Sequence, residues 1–261
     1  DDGFENKFVP LYPSEKSLRN SQIEPLFNYK GNKISFLSRN SNGFYDLYVA
    51  DISTWDFNFE NNSNLDIGVL LNSACLRMTE GQCLDLLHEG KLFTDTDQYI
   101  EMVTLKTGAL VSASMEIGAS IIPKGYLYRD VFKLIGMYMG IILQIRDDML
   151  GIWGNPDNTG KAIGSDIIRK KNTVPMIHTM SVAKKQDRKE LLRIYKKPKL
   201  TNQDVLQVLD IMDNSKTLEF TQNILKGYVD KTDRLVNKVS NDVSGIEDIL
   251  VVTNFLMNRD H

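Results

Sequence analysis

From Leu65 to the C-terminus the sequence predicts an all-α fold, an antiparallel helical bundle, preceded by a short irregular segment that carries a β-hairpin. Apolar residues recur at helical spacing through the long segments after Leu65, and recognisable start and stop residues bound those segments. One segment also carries Gly108, Ala109, Ser112, Ser114, Gly118 and Ala119, which make it thin enough for close neighbours, so the bundle is expected to be crowded.

Residues 1–64 differ in texture, with Pro10, Pro13, Pro25 and many Asn and Ser. Within them Ile34, Phe36 and Leu37 lie in one β-prone run and Tyr45, Leu47 and Val49 in a second. Asn42-Gly43 between them supplies a positive-φ turn signal. The phrase NKISFLSRNSNGFYDLYVAD resembles one blade fragment of a β-propeller repeat, but it occurs once, and one blade cannot close a propeller. An irregular hairpin beside a helical body is the reading that follows.

Asn64 can cap a helix running to about His88, with Leu65, Val69, Ala74 or Leu76, Leu84 and Leu87 as its apolar stripe. Thr94-Asp95-Thr96 starts a second long helix through Tyr99, Val103, Leu110, Val111 and Met115. A third covers Leu127 to Trp153 and ends at Gly154, Asn155 and Pro156. A polar, turn-rich loop follows, and helical patterns return at Val174–Lys184, Asp187–Tyr195, Asn202–Met212, Lys216–Val239 and Ile246–Asn258.

The chain has 261 residues, 42% of them hydrophobic, which is ordinary for a globular protein with a real core. A net charge of −3 gives no reason to expect a nucleic-acid partner. The two cysteines, Cys75 and Cys83, form no CxxC motif, and with three histidines a structural zinc site is not expected; both cysteines read as small core residues. No basic-then-apolar leader is visible, and the longest apolar run, Ile135 to Ile145, is too short to span a bilayer. The expectation is a soluble, cytoplasmic protein.

The most informative residues are Asp147-Asp148, near the end of the third helix. Alone, two adjacent acids on a helix read as a solvated face. Gln144, however, lies one turn earlier, so helical geometry gathers an amide and two carboxylates on one face. Carboxylates that close repel unless a cation lies between them, which suits Mg²⁺ and phosphate oxygens. The following segment, Asn158-Thr159-Gly160-Lys161, then Gly164-Ser165-Asp166 and Arg169-Lys170-Lys171, reads equally as a flexible surface loop or as a backbone and lysines shaped to approach a diphosphate.

The stretch QIRDDMLGIWGNPDNTGKAIGSDIIRKKNTVP resembles the second aspartate-rich region of the trans-isoprenyl diphosphate synthases, the polyprenyl synthetase family. Upstream, MTEGQCLDLLHE is similar to that family's Gly-Gln-x-x-Asp-Leu helix, and YIEMVTLKTGALVSASMEIGA to its Lys-Thr helix. The end of the chain, NFLMNRDH, is similar to its closing helix. Four matches in the family's order are far more specific than one.

The resemblance implies an isoprenoid-synthase-type bundle and a Mg²⁺-dependent prenyltransferase. It would condense isopentenyl diphosphate with an allylic diphosphate of the geranyl, farnesyl or geranylgeranyl class, as a homodimer or a heterodimer with a related synthase. Asp147 and Asp148 would bind Mg²⁺; Lys106, Thr107, Gln144, Lys161 and Lys171 would contact the diphosphate; Gln82 and Asp85 would line or brace the cavity. Each has a plainer alternative: Lys106 snorkelling from a helix face, or Gln82 and Asp85 pairing with neighbouring helices. Phe132, Met137, Tyr138 and Met139 would wall an apolar cavity, although such a stripe also reads as ordinary core.

Two departures from the family pattern stand out. Gly151 occupies the fifth position of the motif, where many relatives have a third aspartate, and is read as a variant of it. The family's first aspartate-rich motif and its early Gly-Gly-Lys and Arg-Arg signatures are not recognisable in residues 1–64. Asp1-Asp2 falls roughly where the first motif belongs, with only Glu5 in support. The expectation is therefore a truncated or rearranged member with impaired activity. The alternatives are a non-catalytic subunit that pairs with an intact synthase, and a terpene cyclase-like relative that ionises the diphosphate without condensing it.

Overall fold

The protein is described here by a computed structural model covering residues 33–39, 45–51, 63–88, 95–121, 125–160, 162–243 and 245–260, with side chains from residue 67 onward. The chain divides into two compact units, Asp1–Leu65 and Asp66–His261. In the first, β1 (Lys33–Arg39) and β2 (Tyr45–Asp51) pair antiparallel, from Lys33 opposite Asp51 to Arg39 opposite Tyr45. The Asn42-Gly43 turn lies outside the described residues.

The second unit is an antiparallel helical bundle with no strand among the described residues. Its elements are α1 (Ser63–His88), α2 (Thr96–Val103), a π-helical turn (Thr104–Gly108), α3 (Ala109–Ile121), a 3₁₀ turn (Gly125–Tyr128), α4 (Arg129–Trp153), α5 (Pro156–Thr159), α6 (Ser165–Ile168), α7 (Val174–Val182), α8 (Lys185–Tyr195), α9 (Asn202–Asn214), α10 (Thr217–Val239) and α11 (Glu247–Asn258). Local chemistry sets several boundaries. The Asp95 carboxylate accepts from the Gln98 backbone N–H at 2.8 Å and starts α2, Asn155 caps α5 with Pro156 next, and Thr201 with Asp204 forms a capping box on α9.

Helix α4 is the axis of this unit, because its successive turns enter three different core clusters. Phe132, Ile135 and Met139 pack with Val236, Val239 and Ile246; Ile141, Ile142, Ile145 and Met149 pack with Tyr99, Val103, Val174 and Leu225; Ile152 packs with Ile167, Leu191 and Ile194. Ile135, Ile142 and Ile145 are completely buried, and each such side chain contributes on the order of 1.5–3 kcal/mol by leaving water. Phe132 and Met139 are thereby ordinary core, and Tyr138 is half-buried against Tyr228 at a ring-centroid distance of 5.7 Å.

The second long helix runs unbroken from Thr96 to Ile121 as expected, with a π-helical turn at Thr104–Gly108 between α2 and α3. One expected feature needs correction. Much of the α1 stripe faces outward: Ala74 and Cys75 are buried, but Val69, Leu76 and Leu87 are 56%, 61% and 60% exposed, and Cys83 is exposed rather than core. The reason lies in size. α1 turns its small residues inward so that Gly81 can reach the backbone of the π turn, where an added Cβ would lie 2.2 Å from the Lys106 nitrogen.

Close packing recurs on the opposite side, where a Cβ at Gly140 would sit 2.6 Å from the Gly108 Cα and one at Gly136 would sit 2.6 Å from the Val111 carbonyl oxygen. Between α3 and α4 the buried Glu116 is held by Arg129 and Lys133, each at 3.2 Å. These contacts predict opposite signs for two similar substitutions. Gly140→Ala should destabilise the protein by about 1–3 kcal/mol through overpacking. Gly118→Ala, on α3 with nothing within 4 Å of the added methyl, should be neutral or stabilise by up to about 1 kcal/mol. Urea unfolding of the two variants checks this, and equal stability of Gly140→Ala and the parent chain would contradict the packing.

Candidate functional site

The π turn carries Lys106 and Thr107, and its extra residue widens the helix where α1 and α4 both approach at glycines. From α1, Asp85 receives a hydrogen bond from the Lys106 ammonium. On the other side the Thr107 hydroxyl donates to Gln144 Oε1 at 2.9 Å. The Gln144 amide nitrogen then donates to Asp148 Oδ1 at 3.1 Å, one turn further along α4.

Asp148 is fully buried and has donors on both oxygens. Oδ1 also accepts from Lys171 Nζ at 2.8 Å, and Oδ2 accepts from the Tyr99 hydroxyl at 2.5 Å. A carboxylate so placed would lose several kcal/mol of hydration if left alone, and a lysine with two neutral donors is what keeps it there. Burial, then the charge of Asp148, pushes the Tyr99 hydroxyl well above the ordinary tyrosine range, so Tyr99 stays a donor. For Lys171, burial pulls the ammonium pKa down, but Asp148 and Asp166 more than reverse it, and the net shift is upward. A lysine pKa raised on folding adds stability that is complete below its unfolded value of about 10.4 and fades only in stronger alkali. The Lys171 ammonium is therefore charged throughout the neutral range.

Asp147 faces the other way. Its side chain is 44% exposed and meets Arg259 Nη2 at 3.4 Å, while Arg146 Nε donates to the Arg259 carbonyl at 2.8 Å and holds the chain end across the turn. Among the described residues no group of three or more His, Cys, Asp or Glu could hold a metal ion. Magnesium commonly binds one or two carboxylates and completes its shell with water and phosphate oxygens, and the open carboxylate of Asp147 fits that role. Asp148 is fully buried, and its oxygens accept from Tyr99, Gln144 and Lys171.

Of the residues singled out from sequence, Asp85, Lys106, Thr107, Gln144, Asp148 and Lys171 thus lie along two runs of contacts joined through the π turn. Gln82 sits half-buried one turn before Asp85 on α1, and Lys161 lies outside the described residues. Sequence reading missed three participants. Tyr99 reads only as one of the residues that continue the second helix, Asp166 stands within a motif without a role, and Arg259 lies far along the chain. A tyrosine on an otherwise aliphatic stripe is the one local sign of a buried polar partner.

The polyprenyl synthetase family model matches residues 47–216. The chain belongs to the polyprenyl synthetase family. The match begins upstream of Leu65, where the family resemblance was expected to start. The chain is 31% identical over 191 residues to the geranylfarnesyl diphosphate synthase of Aeropyrum pernix, covering 73% of this chain and 58% of that protein. It is 29% identical over 180 residues to the geranylgeranyl diphosphate synthase of Sulfolobus acidocaldarius, covering 67% and 54%. The fold matches a geranylgeranyl pyrophosphate synthetase from Pyrococcus horikoshii with a TM-score of 0.70 and 26% identity, over 77% of this chain and 61% of that one. The chain therefore spans little more than half the length of these family members.

The geometry ranks two substitutions. Lys171→Met leaves Asp148 buried without its cation and should destabilise by about 3–5 kcal/mol, whereas Tyr99→Phe removes one hydrogen bond to a charged group and should cost about 1.5–3 kcal/mol. Denaturant unfolding of both variants measures the difference. A Lys171→Met protein no less stable than Tyr99→Phe would show that Lys171 does not neutralise Asp148.

Proposed function

We propose that this polyprenyl synthetase family member acts in Mg²⁺-dependent prenyl transfer, condensing isopentenyl diphosphate with an allylic diphosphate of the geranyl to geranylgeranyl class. The observation that carries the reading is the run of contacts Thr107–Gln144–Asp148–Lys171 at the last turns of α4, with Lys106 held by Asp85 in the adjoining π turn and the exposed carboxylate of Asp147 next to Asp148 in the chain. Ionisation of an allylic diphosphate puts negative charge on the leaving group, and fixed cations lower that barrier without reorganising. In this reading Lys106 and Lys171 neutralise the diphosphate oxygens, Gln144 and Thr107 orient them, and Asp85 holds Lys106 in place while the site is empty. Lys161 joins them on the strength of the sequence motif. Asp147 would hold Mg²⁺, which when bound supplies further positive charge to the leaving diphosphate. The protein is proposed to work in the cytoplasm, and no helix among the described residues is long and apolar enough to cross a membrane.

A second reading, a subunit that pairs with a copy of itself or with a related synthase, is favoured by α1. Val69, Leu76 and Leu87 form an exposed row along one side of that helix, with Cys83 in line. Condensation is measured with radiolabelled isopentenyl diphosphate, geranyl or farnesyl diphosphate and Mg²⁺. Incorporation is expected to vanish with a chelator and to fall roughly 10²–10³-fold in Lys106→Ala, the usual effect of removing one strong electrostatic contact to a transition state. Incorporation unaffected by chelation or by Lys106→Ala would refute the catalytic reading. No incorporation alone, with a changed rate when a related synthase is added, would establish the subunit.

A further inference from the structure

Residues 184–199 carry eight basic and two acidic side chains, a net charge of +6 in a chain whose total is −3, so the remaining residues sum to −9. Helix α8 forms most of this segment. At 3.6 residues per turn, Lys185, Arg188, Lys189, Arg193 and the C-cap Lys196 fall within an arc of about 140°. All five are exposed. The two acids, Asp187 and Glu190, are half-buried and lie outside that arc, and Glu190 accepts from Arg193 Nε at 2.8 Å at its edge. Lys184 and Lys199 stand exposed at the two ends of the helix, whereas Lys197 donates to Asp204 at 2.6 Å and is part of the fold.

The inner side of α8 is fixed. Leu191 and Ile194 are completely buried in one core cluster with Ile152, Ile167, Met176 and Val208. The apolar stripe is therefore closed off, and the helix cannot lay it into a bilayer or a partner's groove as a free amphipathic helix does. What remains to the solvent is a rigid basic face about 16 Å long.

Such a face calls for an anionic partner, and its details favour a lipid surface over a nucleic acid. The one aromatic residue of α8, Tyr195, is buried, so the face has no ring on which a base could stack. Val182, 52% exposed, lies two residues before Lys184 at the corner that leads into α8, where an apolar side chain can enter a headgroup layer. The charge of the remainder matters as well. A flexible polyanion that wraps the chain would meet the acidic remainder, but a flat surface need not. Charges more than about 8 Å from that surface are screened at physiological salt, so the imbalance turns the α8 face toward it.

We infer that the outer face of α8 is a docking surface for anionic phospholipid and holds the chain peripherally on a bilayer. The inference goes beyond the prenyl-transfer reading and does not depend on it. Because the apolar stripe is buried, attachment rests on charge, with each lysine near the surface contributing about fivefold in affinity.

The test uses the full chain in flotation with vesicles of phosphatidylcholine alone or mixed with phosphatidylglycerol, in rising salt, beside fluorescence anisotropy with single-stranded and duplex RNA oligonucleotides. The chain is expected to float with the mixed vesicles, not with phosphatidylcholine alone, and to be released as salt rises. Lys185→Gln with Lys189→Gln should weaken this binding about 25-fold, and Lys185→Glu with Lys189→Glu should abolish it. Both pairs should keep the parental melting temperature, because the side chains are exposed. Lys226→Glu with Lys238→Glu changes the net charge equally from exposed positions on α10 and should bind as the parent does. Failure to float with the anionic vesicles, equal binding to both vesicle types, parental binding in the Lys185 and Lys189 variants, or an equal loss in the α10 control would overturn the proposal. RNA binding that those variants abolish, in a chain that ignores the vesicles, would make α8 a nucleic-acid face and overturn the lipid assignment.

Discussion

A fully buried carboxylate, Asp148, is the constraint around which the bundle is arranged. It cannot remain ionised without a cation and donors on both oxygens, and those come from three separate parts of the chain: Tyr99 on α2, Gln144 on α4 and Lys171 in the segment before α7. Satisfying one charge thus ties three elements together. Gln144 extends the link to Thr107, and the π turn that holds Thr107 also holds Lys106, which reaches Asp85 on α1. The polar groups suited to bind an anionic substrate are held by the requirement that Asp148 be neutralised.

This arrangement needs backbones closer than ordinary side chains allow. Gly81 meets the π turn from α1, and Gly140 meets it from α4, each at a distance that an added methyl would close. Leu76 and Leu87 remain outside because α1 presents its small residues to the turn. The exposed row on α1 and the placement of Lys106 are two consequences of one packing choice. A helix that packs this closely on the turn that carries Lys106 gives up part of its own apolar burial to do so.

Much of this was legible in the sequence, for identifiable reasons. The isoleucines of α4 recur at helical spacing and are buried as that spacing requires, and Asp95 caps α2 as its position predicts. Asp147, Asp148 and Gln144 could be grouped because one helix carries them. What sequence could not separate was the two aspartates: adjacent residues on a helix point about 100° apart, and only the neighbours decide which is buried. The π turn left no periodic signature, since one inserted residue shifts the apolar pattern by less than the pattern's own irregularity. Tyr99 and Asp166 belong to long-range contacts that local spacing does not encode. Gly151 reads in the sequence as a variant of the motif, and nothing local shows that the Asp166 carboxylate lies against it.

The central proposal is a division of labour between neighbours, in which Asp148 ties the helices together and Asp147 is the residue proposed to meet Mg²⁺. Calorimetric titration of Mg²⁺ and pyrophosphate into Asp147→Asn and Asp148→Asn, read alongside their thermal unfolding, tests it most directly. The account predicts that Asp147→Asn keeps its melting temperature and loses Mg²⁺-dependent binding, and that Asp148→Asn, which leaves Lys171 without its main partner, unfolds at a clearly lower temperature. Equal losses of stability in the two variants, or Mg²⁺-dependent binding that survives Asp147→Asn, would contradict it.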